Sequence, residues 1–427
     1  MILYNLFPLL AGHFSNWNNH INRAADMGFD WIFVNPVQKP GGSGSLYSIA
    51  DYFQLNPRLV DTNSRLTSEE QLRDVIQAAE NRGLKMMVDL VINHCAADSP
   101  LAKQHPEWFE HEADGSIAHP YCLEDGEKVV WRDLIRFDHW HPSDPEGLYN
   151  YFFKIVEYLR EIGFKGFRCD AAYQIPAHLW KRLITDTKNR DSKTVFAAET
   201  LGCTPEQTRS TAQAGFDYLF NSSKWWDFES NWLLEQYQMT RDIAPSISFP
   251  ESHDTDRLSQ EARGDENALL KQRYLFAATF SAGVMIPIGF EAGFRRRLHV
   301  VKTKPEDWEQ TDKNLHDFIA RVNALKKRHP ILCEESINTI VPYENRHILL
   351  LHKASTKTDQ EALIVLNKDS CNWQHFQVPN LNELIRSRKP LVDVSPEYPT
   401  GHPPAPFRYD LNPGQGLVMV TESPRVP

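Results

Sequence analysis

Three acidic residues stand at or just beyond the ends of short apolar runs of the kind that form strands. They are Asp170, Glu199 and Asp254, in that order along the chain. Cleavage of a glycosidic bond with retention of configuration needs two carboxyl groups about 5 Å apart, one ionised to attack the anomeric carbon and one protonated to donate to the leaving oxygen. A third carboxylate can stabilise the positive charge of the transition state. Together the three acids predict an enzyme that cuts or transfers sugars.

The neighbours of two of these acids predict opposite protonation states. Arg168 lies two residues before Asp170. Both side chains therefore leave the same face of a strand, and the guanidinium favours the ionised carboxylate that a nucleophile needs. Glu199 follows the apolar residues 195–198, and burial among such residues raises the pKa of a carboxyl group, which suits a proton donor. We expect Asp254 to stabilise the transition state from a third side.

Two histidines belong to the same motifs. His94 ends the segment Asp89-Leu90-Val91-Ile92-Asn93-His94, and His253 precedes Asp254. Both rings can donate hydrogen bonds to sugar hydroxyls. Taken singly, an acid at a strand end is more often a loop cap or an ion-pair partner, and a histidine at such a place is more often structural. Four motifs in one order on successive strand ends favour the catalytic interpretation.

Eight apolar runs alternate with helical patterns. The predicted strands are Ile2–Phe7, Trp31–Asn35, Met86–Ile92, Gly166–Asp170, Val195–Glu199, Tyr218–Asn221, Ser246–Pro250 and Val284–Gly289. Among the helical patterns, Thr67–Arg82 begins with a capping box of Thr67 and Glu70 and stops near Gly83. This alternation predicts an α/β fold, a parallel (β/α)8 TIM barrel. Working residues of such barrels gather at the C-terminal ends of the strands, which brings the three acids to one rim.

Two regions depart from the barrel pattern. About 70 residues separate His94 from Gly166, more than one helix needs, which predicts a small subdomain inserted after the third strand. Near the C-terminus, strand-like runs separated by polar or proline-containing turns predict an antiparallel β-sandwich. These runs are Ile337–Pro342, Ile348–His352, Ala362–Leu366, His375–Val378 and Gly416–Val420. The predicted units are a barrel (1–94 and 147–330), an inserted subdomain B (95–146) and a C-terminal β-sandwich domain (331–427).

The composition argues against several classes of partner. The 427 residues are 41% hydrophobic and carry a net charge of −10, which disfavours binding to nucleic acid or to anionic membranes. No run reaches the roughly 18 apolar residues of a membrane span, and the N-terminal segment lacks the features of a signal peptide. The six cysteines form no Cys-x-x-Cys pair, so we expect no zinc site, reduced thiols and a cytoplasmic protein.

The motifs resemble those of the α-amylase superfamily of retaining α-glycosidases and transglycosylases, over most of residues 1–330. The similar segments are Asp89–His94, Gly166–Asp170, the run that ends at Glu199, and Ser252–Asp254. By position, the resemblance implies the roles already expected for the three acids, and it places Arg168, His94 and His253 in the sugar subsite. It further implies that Tyr47 stacks on the reacting sugar, and that the substrate is an α-glucan or an α-glucoside.

One departure from the family concerns calcium. Tyr173 and Gln174 stand where members often have Lys-His, and that histidine often gives a backbone ligand to a structural calcium ion. Asn93 fits the usual calcium-ligand position, but no other residue in the sequence completes an oxygen cage around it. We therefore expect no required cofactor and leave a structural calcium open, with Asn93 as its one candidate ligand.

A narrower similarity links the chain to bacterial maltosyltransferases that use maltose 1-phosphate. It is carried by His105–Phe109 with Asp114–Ile117, and by Lys304–Trp308 with Ile319–Asn323. Those enzymes lack the His-Asp pairing that this chain has at 253–254. A basic loop of Arg295, Arg296, Arg297, Lys302 and Lys304 follows the eighth strand, where barrels often bind phosphate, although a solvated loop is the commoner outcome.

The sequence thus leaves three functions open. The first is a retaining α-glycosidase or transglycosylase that works through a covalent glycosyl-aspartate. The second is a maltosyl-phosphate-using or phosphorylase-type glycosyltransferase. The third is a non-catalytic glycan-binding protein, which is disfavoured because all three acids are present. Five tryptophans in candidate rim loops are possible outer subsites: Trp108, Trp131, Trp140, Trp225 and Trp226.

Overall fold

A closed barrel of eight parallel strands forms the centre of the protein. The computed structural model describes residues 1–124 and 127–422. The barrel strands are β1 (Ile2–Leu6), β2 (Trp31–Val34), β3 (Lys85–Leu90), β4 (Gly166–Cys169), β5 (Val195–Ala198), β6 (Tyr218–Phe220), β7 (Ser246–Ser248) and β8 (Gly283–Pro287). Each strand pairs in parallel with its neighbours in sequence, and β8 closes onto β1. The predicted TIM barrel is confirmed, with every predicted strand at its expected place.

Helices follow the barrel strands and surround the barrel. They are α1 (Trp17–Asp26), α2 (Ser68–Asn81), α3 (Pro145–Ile162), α4 (Ala177–Arg190), α5 (Pro205–Ala212), α6 (Trp232–Thr240), α7 (Glu266–Phe280) and α8 (His316–Arg328). Shorter helical turns cover Pro8–Ala11, Leu101–Gln104 and Leu258–Glu261. The start of α2 is the predicted capping box, in which Thr67 and Glu70 each accept from the other's backbone N–H.

Alternation along the strands decides which side chains enter the barrel. Asp89 and Arg168 are partners in the register of β3 and β4. Register partners on neighbouring strands share a face of the sheet, and the two side chains meet inside the barrel with 2.8 Å between Arg168 Nη1 and Asp89 Oδ1. Cys169 lies between Arg168 and Asp170 and packs outward among the helices, fully buried. Gly166 begins the same strand, β4. A side chain does not fit there, since a Cβ would stand 2.8 Å from the carbonyl oxygen of Val195 on the neighbouring strand β5.

Two excursions leave the barrel near its C-terminal rim. After β2, the strands Gln38–Pro40 and Ile49–Leu55 form a short antiparallel pair. Between β3 and β4, His94–Ala96 pairs with Leu134–Arg136, and Tyr121–Glu124 pairs with Glu127–Val130. The region inserted after the third strand therefore contains small sheets of its own.

The C-terminal region is built from two antiparallel sheets. Its strands are β9 (Ile337–Ile340), β10 (Ile348–Ala354), β11 (Glu361–Asn367), β12 (Gln374–Val378), β13 (Leu391–Asp393), β14 (Phe407–Leu411) and β15 (Gly416–Thr421). The larger sheet has the order β9-β10-β11-β15-β13, and β12 pairs with β14. Leu350 and Val365 of the larger sheet share a core with Phe376 and Phe407 of the smaller one, so the predicted sandwich is confirmed.

The sandwich packs on the barrel through the other face of its larger sheet. Leu351 and Ile364 on that face belong to the same apolar core as Leu275 of α7. The exact limits predicted for the three units stay predictions, and residues 125–126 and 423–427 of those units lie outside the described residues. Within the described chain, no helix combines the length and apolar character that a membrane crossing requires.

Candidate active site

The three predicted acids follow barrel strands at the C-terminal rim. Asp170 is the first residue after β4, and Glu199 is the first residue after β5. Asp254 lies six residues beyond β7, in the loop that leaves this strand. Because parallel strands deliver their C-terminal ends to one face of the barrel, three positions that are distant in sequence meet there.

Asp170 is fixed by an arginine inside the barrel mouth. Arg168 Nη1 lies 2.6 Å from Asp170 Oδ1 and 2.8 Å from Asp89 Oδ1. Arg168 is 4% exposed, so its charge acts with little solvent screening. Burial raises the pKa of Asp89 to about 6, although Arg168 and Tyr47 oppose this shift. The guanidinium thus connects two carboxyl groups, and only Asp170 opens toward the rim.

Glu199 is buried and held by two backbone donors. Its Oε2 accepts from the N–H of Ala171 at 2.8 Å, and its Oε1 accepts from the N–H of Leu201 at 2.8 Å. Desolvation raises its pKa to about 7, with a further increase from the negative charge of Asp170 and a decrease from Arg168. The apolar run before Glu199 predicted this direction of shift. Near neutral pH, Glu199 is therefore able to give and to take a proton.

Ala171 has an uncommon backbone conformation between the two acids. Its φ of 40° and ψ of 47° lie in the left-handed region, which few residues other than glycine adopt. This turn follows Asp170 at once, and its N–H is the donor that meets Glu199. Strained residues of this kind concentrate at functional sites.

Asp254 is the most open of the three acids. Its side chain is 61% exposed, and its Oδ2 lies 2.9 Å from Nε2 of the buried His253. Desolvation by the surrounding protein raises the pKa of Asp254, but the hydrogen bond to His253 and the charges of Arg168 and Arg297 lower it more strongly, to about 2. Asp254 is therefore ionised near neutral pH.

Tyr47 connects Asp89, the partner of Arg168, with His253, the partner of Asp254. Its hydroxyl donates to Asp89 Oδ2 over 2.6 Å, lies 2.7 Å from His253 Nε2, and accepts from Asn35 Nδ2 over 2.9 Å. Its ring is parallel to the imidazole of His253, with 5.8 Å between the ring centres. Stacking of Tyr47 on a sugar stays a prediction, while its hydroxyl has a structural role that the sequence did not reveal.

All but one of the predicted catalytic and sugar-binding residues are linked by side-chain contacts. The exception is His94, which is 8% exposed and contacts the main chain of Tyr47, with 3.1 Å between its Nε2 and the carbonyl oxygen. The others follow one another through the contacts given above, in the order Asp254, His253, Tyr47, Asp89, Arg168, Asp170 and, through Ala171, Glu199. The site residues therefore share one small region at the barrel mouth.

A buried ion pair that sequence reasoning missed braces the loop of His253 and Asp254. Arg257 Nη1 lies 2.7 Å from Glu251 Oε1, and each of these residues is 1% exposed. Arg257 also donates to the carbonyl oxygens of Ile288 and Arg296, which lie beyond β8. Opposite charges six residues apart around a catalytic motif were the available signal. The ion pair joins the two ends of segment 251–257, and the bonds of Arg257 to Ile288 and Arg296 hold this segment against the chain that follows β8.

The environment of Asn93 does not fit a calcium cage. Its Nδ2 lies 3.4 Å from Gln174 Oε1, and its buried Oδ1 has no partner among the described residues. Within the described part of the chain, no three His, Cys, Asp or Glu side chains are grouped so that they could hold a metal ion. Calcium prefers six to eight oxygen ligands, and a single amide oxygen does not provide them.

The three arginines of the basic loop after β8 are paired with acids, and the partner of Arg297 is Asp256 over 3.4 Å. Arg295 lies 3.1 Å from Glu266, and Arg296 contacts Asp307. Arg297 donates to the carbonyl oxygen of Asp254 over 2.6 Å and is 57% exposed. Of these three arginines, Arg297 is therefore the one that stands beside the candidate active site.

The five tryptophans separate into two groups. Trp108 and Trp226 are 5% and 1% exposed and pack in the core. Trp131, Trp140 and Trp225 are 40%, 62% and 52% exposed. Only the second group has rings available for a sugar to stack on, and their use as outer subsites stays a prediction.

Comparison with known proteins identifies relatives in sequence. The family model "Glycogen debranching enzyme, glucanotransferase domain" matches residues 2–112. The α-1,4-glucan:maltose-1-phosphate maltosyltransferase of Burkholderia pseudomallei is 24% identical over 86% of this chain and 33% of that protein. The enzyme of the same name from Picrophilus torridus is 25% identical over 92% of this chain and 64% of that protein. The chain thus spans a third to two thirds of the length of these curated relatives.

Solved structures share the whole fold. An α-amylase from Geobacillus thermoleovorans, crystallised with acarbose, has a TM-score of 0.78 and 16% identity, with 98% of each chain covered. An α-amylase from H. orenii has a TM-score of 0.77 and 15% identity, with 99% of each chain covered. At this level of identity the structural likeness concerns the fold alone.

Together these comparisons confirm the resemblance to the α-amylase superfamily, and within it to the maltosyltransferases. By their names, the relatives in sequence are maltosyltransferases and the neighbours in structure are amylases, which act on glycosidic bonds. That this chain is itself such an enzyme belongs to the proposal below, as do the bond that it acts on and the acceptor that it uses.

Proposed function

We propose that this chain is a retaining transglycosylase or glycosidase that acts on α-glucans or α-glucosides through a covalent glycosyl intermediate on Asp170. One observation carries the proposal. A carboxyl group with a pKa near 7, Glu199, is hydrogen-bonded to the residue next to Asp170, which is itself ion-paired to Arg168. Double displacement requires such a pair, one protonated and one ionised.

In the first step, Asp170 attacks the anomeric carbon. Arg168 engages Oδ1 of Asp170, so the attacking electron pair belongs to Oδ2. The bond from the anomeric carbon to the leaving oxygen breaks, and Glu199 transfers its proton to that oxygen. Asp254, kept as a carboxylate by His253, stabilises the positive charge that develops on the sugar.

In the second step, the ionised Glu199 takes a proton from the incoming hydroxyl. The oxygen of that hydroxyl attacks the anomeric carbon and displaces Asp170, which restores both carboxyl groups. Water as the attacking group gives hydrolysis, and a sugar hydroxyl gives transfer. The names of the maltosyltransferase relatives support transfer to a glucan as the main outcome.

The experiment is to incubate the protein with maltooligosaccharides and to identify the products by chain length. Transfer predicts both longer and shorter oligosaccharides than the one supplied. Glu199→Gln should lower kcat by about 10²- to 10⁴-fold, the usual contribution of general acid–base catalysis. Unchanged turnover in both Asp170→Asn and Glu199→Gln would refute the assignment.

A second candidate is transfer from maltose 1-phosphate, which the same relatives use according to their names. Arg297 is the group in the basic loop that supports it, since it lies at Asp254 and is half exposed. If this donor is used, Arg297→Gln should raise its KM and leave the KM for maltooligosaccharides unchanged. Absence of turnover with maltose 1-phosphate would end this alternative.

A further inference from the structure

Tyr398 in the C-terminal sandwich combines a highly exposed ring with an uncommon backbone conformation. Its side chain is 74% exposed, and its φ is 51°. A bulky residue rarely adopts this left-handed conformation, because the Cβ then crowds the backbone. Such strained residues persist only where the surrounding structure holds them, and they concentrate at ligand-binding and catalytic sites.

The loop that carries Tyr398 is held closed by a buried aspartate. Asp393, 3% exposed, accepts from the N–H and hydroxyl of Thr400 over 2.8 and 2.9 Å, and from the N–H of Ser395 over 2.9 Å. Its own N–H donates to the carbonyl oxygen of Gly401 over 2.7 Å. The ring of Tyr398 is therefore presented on a fixed support.

Tyr398 borders a cavity at the junction of the sandwich and the barrel. The cavity has a volume of about 270 Å³. Its polar lining includes Lys271 and Asn267 of α7, Glu397 beside Tyr398, and Asn412 on the loop before β15. Lys271 Nζ lies 2.7 Å from Glu397 Oε1, so these two charges are paired directly with each other on the cavity wall.

The walls of this cavity are fixed relative to each other. Gly414, on the same loop as Asn412, has a φ of 64°, and a Cβ there would stand 2.5 Å from the carbonyl oxygen of Ala268. Only glycine allows the loop to approach α7 this closely. The cavity therefore exists before any ligand arrives, which lowers the entropic cost of binding.

A second exposed aromatic residue lies on a neighbouring loop. Trp373 is 64% exposed. The carbonyl oxygen of Asp369 in its loop accepts from the N–H of Gly414, so this loop is fastened to the cavity wall. Within the described chain, Tyr398 and Trp373 are the two most exposed large hydrophobic residues.

We propose that this cavity is a second, non-catalytic binding site for an α-glucan chain. A flat aromatic ring next to paired charges and amides is the chemistry that recognises a neutral sugar, whose C–H face stacks on the ring while its hydroxyls bond to polar groups. The lining sets one cation, Lys271, against two carboxylates, Glu397 and Asp265, which disfavours an anionic ligand. The choice of an α-glucan rests on the proposed function.

The position of the site suits a long chain that also enters the active site. The N-terminal end of α7 follows β7 and so lies toward the same face of the barrel as the three acids. Glu266 of α7 is ion-paired to Arg295, and Arg297 of the same loop donates to Asp254. A polymer can therefore occupy both sites, whereas a short oligosaccharide occupies one.

The test is native electrophoresis of the full-length protein in gels that contain soluble starch or glycogen. Tyr398→Asn removes the ring but tolerates the left-handed backbone, since asparagine is enriched there. Tyr398→Phe keeps the ring. Arg388→Asn is the matched control, because Arg388 is an exposed residue of the same sandwich with a φ of 56° and does not line the cavity.

We expect Tyr398→Asn to weaken the apparent affinity for the polymer by about two- to tenfold, the range of a single aromatic contact. Tyr398→Phe and Arg388→Asn should bind like the wild type, and all should act equally on short maltooligosaccharides. Equal retardation of Tyr398→Asn and the wild type, or no retardation of the wild type, would overturn the site even if the oligosaccharides are turned over. Retardation that depends on Tyr398 in a protein without turnover would instead refute only the proposed function.

Discussion

The backbone N–H of Ala171 donates to the carboxylate of Glu199 over 2.8 Å. Two further contacts continue the pairing of β4 and β5 beyond the strands, from the N–H of Glu199 to the carbonyl oxygen of Cys169 and from the N–H of Ala172 to that of Glu199. The position of Glu199 relative to Asp170 is thus set by main-chain hydrogen bonds. In the proposed roles of nucleophile and proton donor, Asp170 and Glu199 would need little rearrangement when the substrate binds.

The raised pKa of Glu199 predicts the basic limb of the pH profile. Glu199 must be protonated to donate to the leaving oxygen, and its pKa is about 7. The rate of the first step should therefore fall as the pH rises through about 7. The measurement is kcat/KM for a maltooligosaccharide between pH 5 and about pH 9. A rate that is constant across this range would contradict the role of Glu199.

The same shift predicts that the effect of replacing Glu199 on stability depends on pH. A carboxyl group whose pKa rises on folding binds more protons in the folded state, so stability falls as the pH increases from 4.5, its ordinary pKa, to about 7. Glu199→Gln removes this loss, but its amide nitrogen cannot accept from the N–H of Ala171 or Leu201, which costs stability at every pH. We therefore expect the difference in Tm between the variant and the wild type to be more favourable to the variant at pH 8 than at pH 4, as measured by thermal unfolding. The same difference at both values would contradict the raised pKa of Glu199.

Tyr47→Phe should damage the site without unfolding the protein. The substitution removes the hydroxyl that contacts Asp89 and His253 and leaves buried polar groups without a partner, at a cost of about 1–3 kcal/mol. We expect a lower Tm and a lower kcat. Tyr343→Phe is the matched control, because among the described residues the hydroxyl of Tyr343 bonds only to the backbone of Gln377 in the sandwich. Equal kcat values for both variants would show that Tyr47 does not position the site.

The pair of Glu251 and Arg257 should prove to be a positioning device. Arg257→Met leaves a buried carboxylate unpaired and should cost about 3–5 kcal/mol of stability. The double variant with Glu251→Gln removes that charge and should recover much of the stability. Its kcat should stay low, because the bonds of Arg257 to Ile288 and Arg296 are still absent. Urea unfolding and kcat together separate the two effects, and full recovery of kcat would make the pair purely structural.

The barrel was readable from the sequence because its strands are short apolar runs that end at polar residues. An acid that ends such a run also marks the end of the strand. The sequence therefore placed Asp170 and Glu199 correctly at the C-terminal ends of two barrel strands. Two strands of the sandwich, Leu391–Asp393 and Phe407–Leu411, were not predicted. Leu391–Asp393 has only three residues, too few to show an alternation. Phe407–Leu411 does alternate, but it directly follows the proline-rich segment 403–406, which is typical of a loop.

Contacts between distant segments were the part that could not be read. The partners of the basic loop, such as Glu266 and Asp307, come from other elements, and their pairing depends on the folded chain. The same holds for the hydroxyl of Tyr47, which reaches a residue 206 positions away. Side-chain partners of this kind follow from tertiary packing, which spacing along the sequence does not encode.

The central claim is double displacement through Asp170, and the anomeric configuration of the first product tests it most directly. Proton NMR should be recorded immediately after the enzyme is added to an α-linked maltooligosaccharide, before the released sugar mutarotates. Double displacement predicts that the newly formed product carries the α configuration, since two inversions at one carbon restore it. Initial formation of the β anomer would show a single displacement and contradict the mechanism.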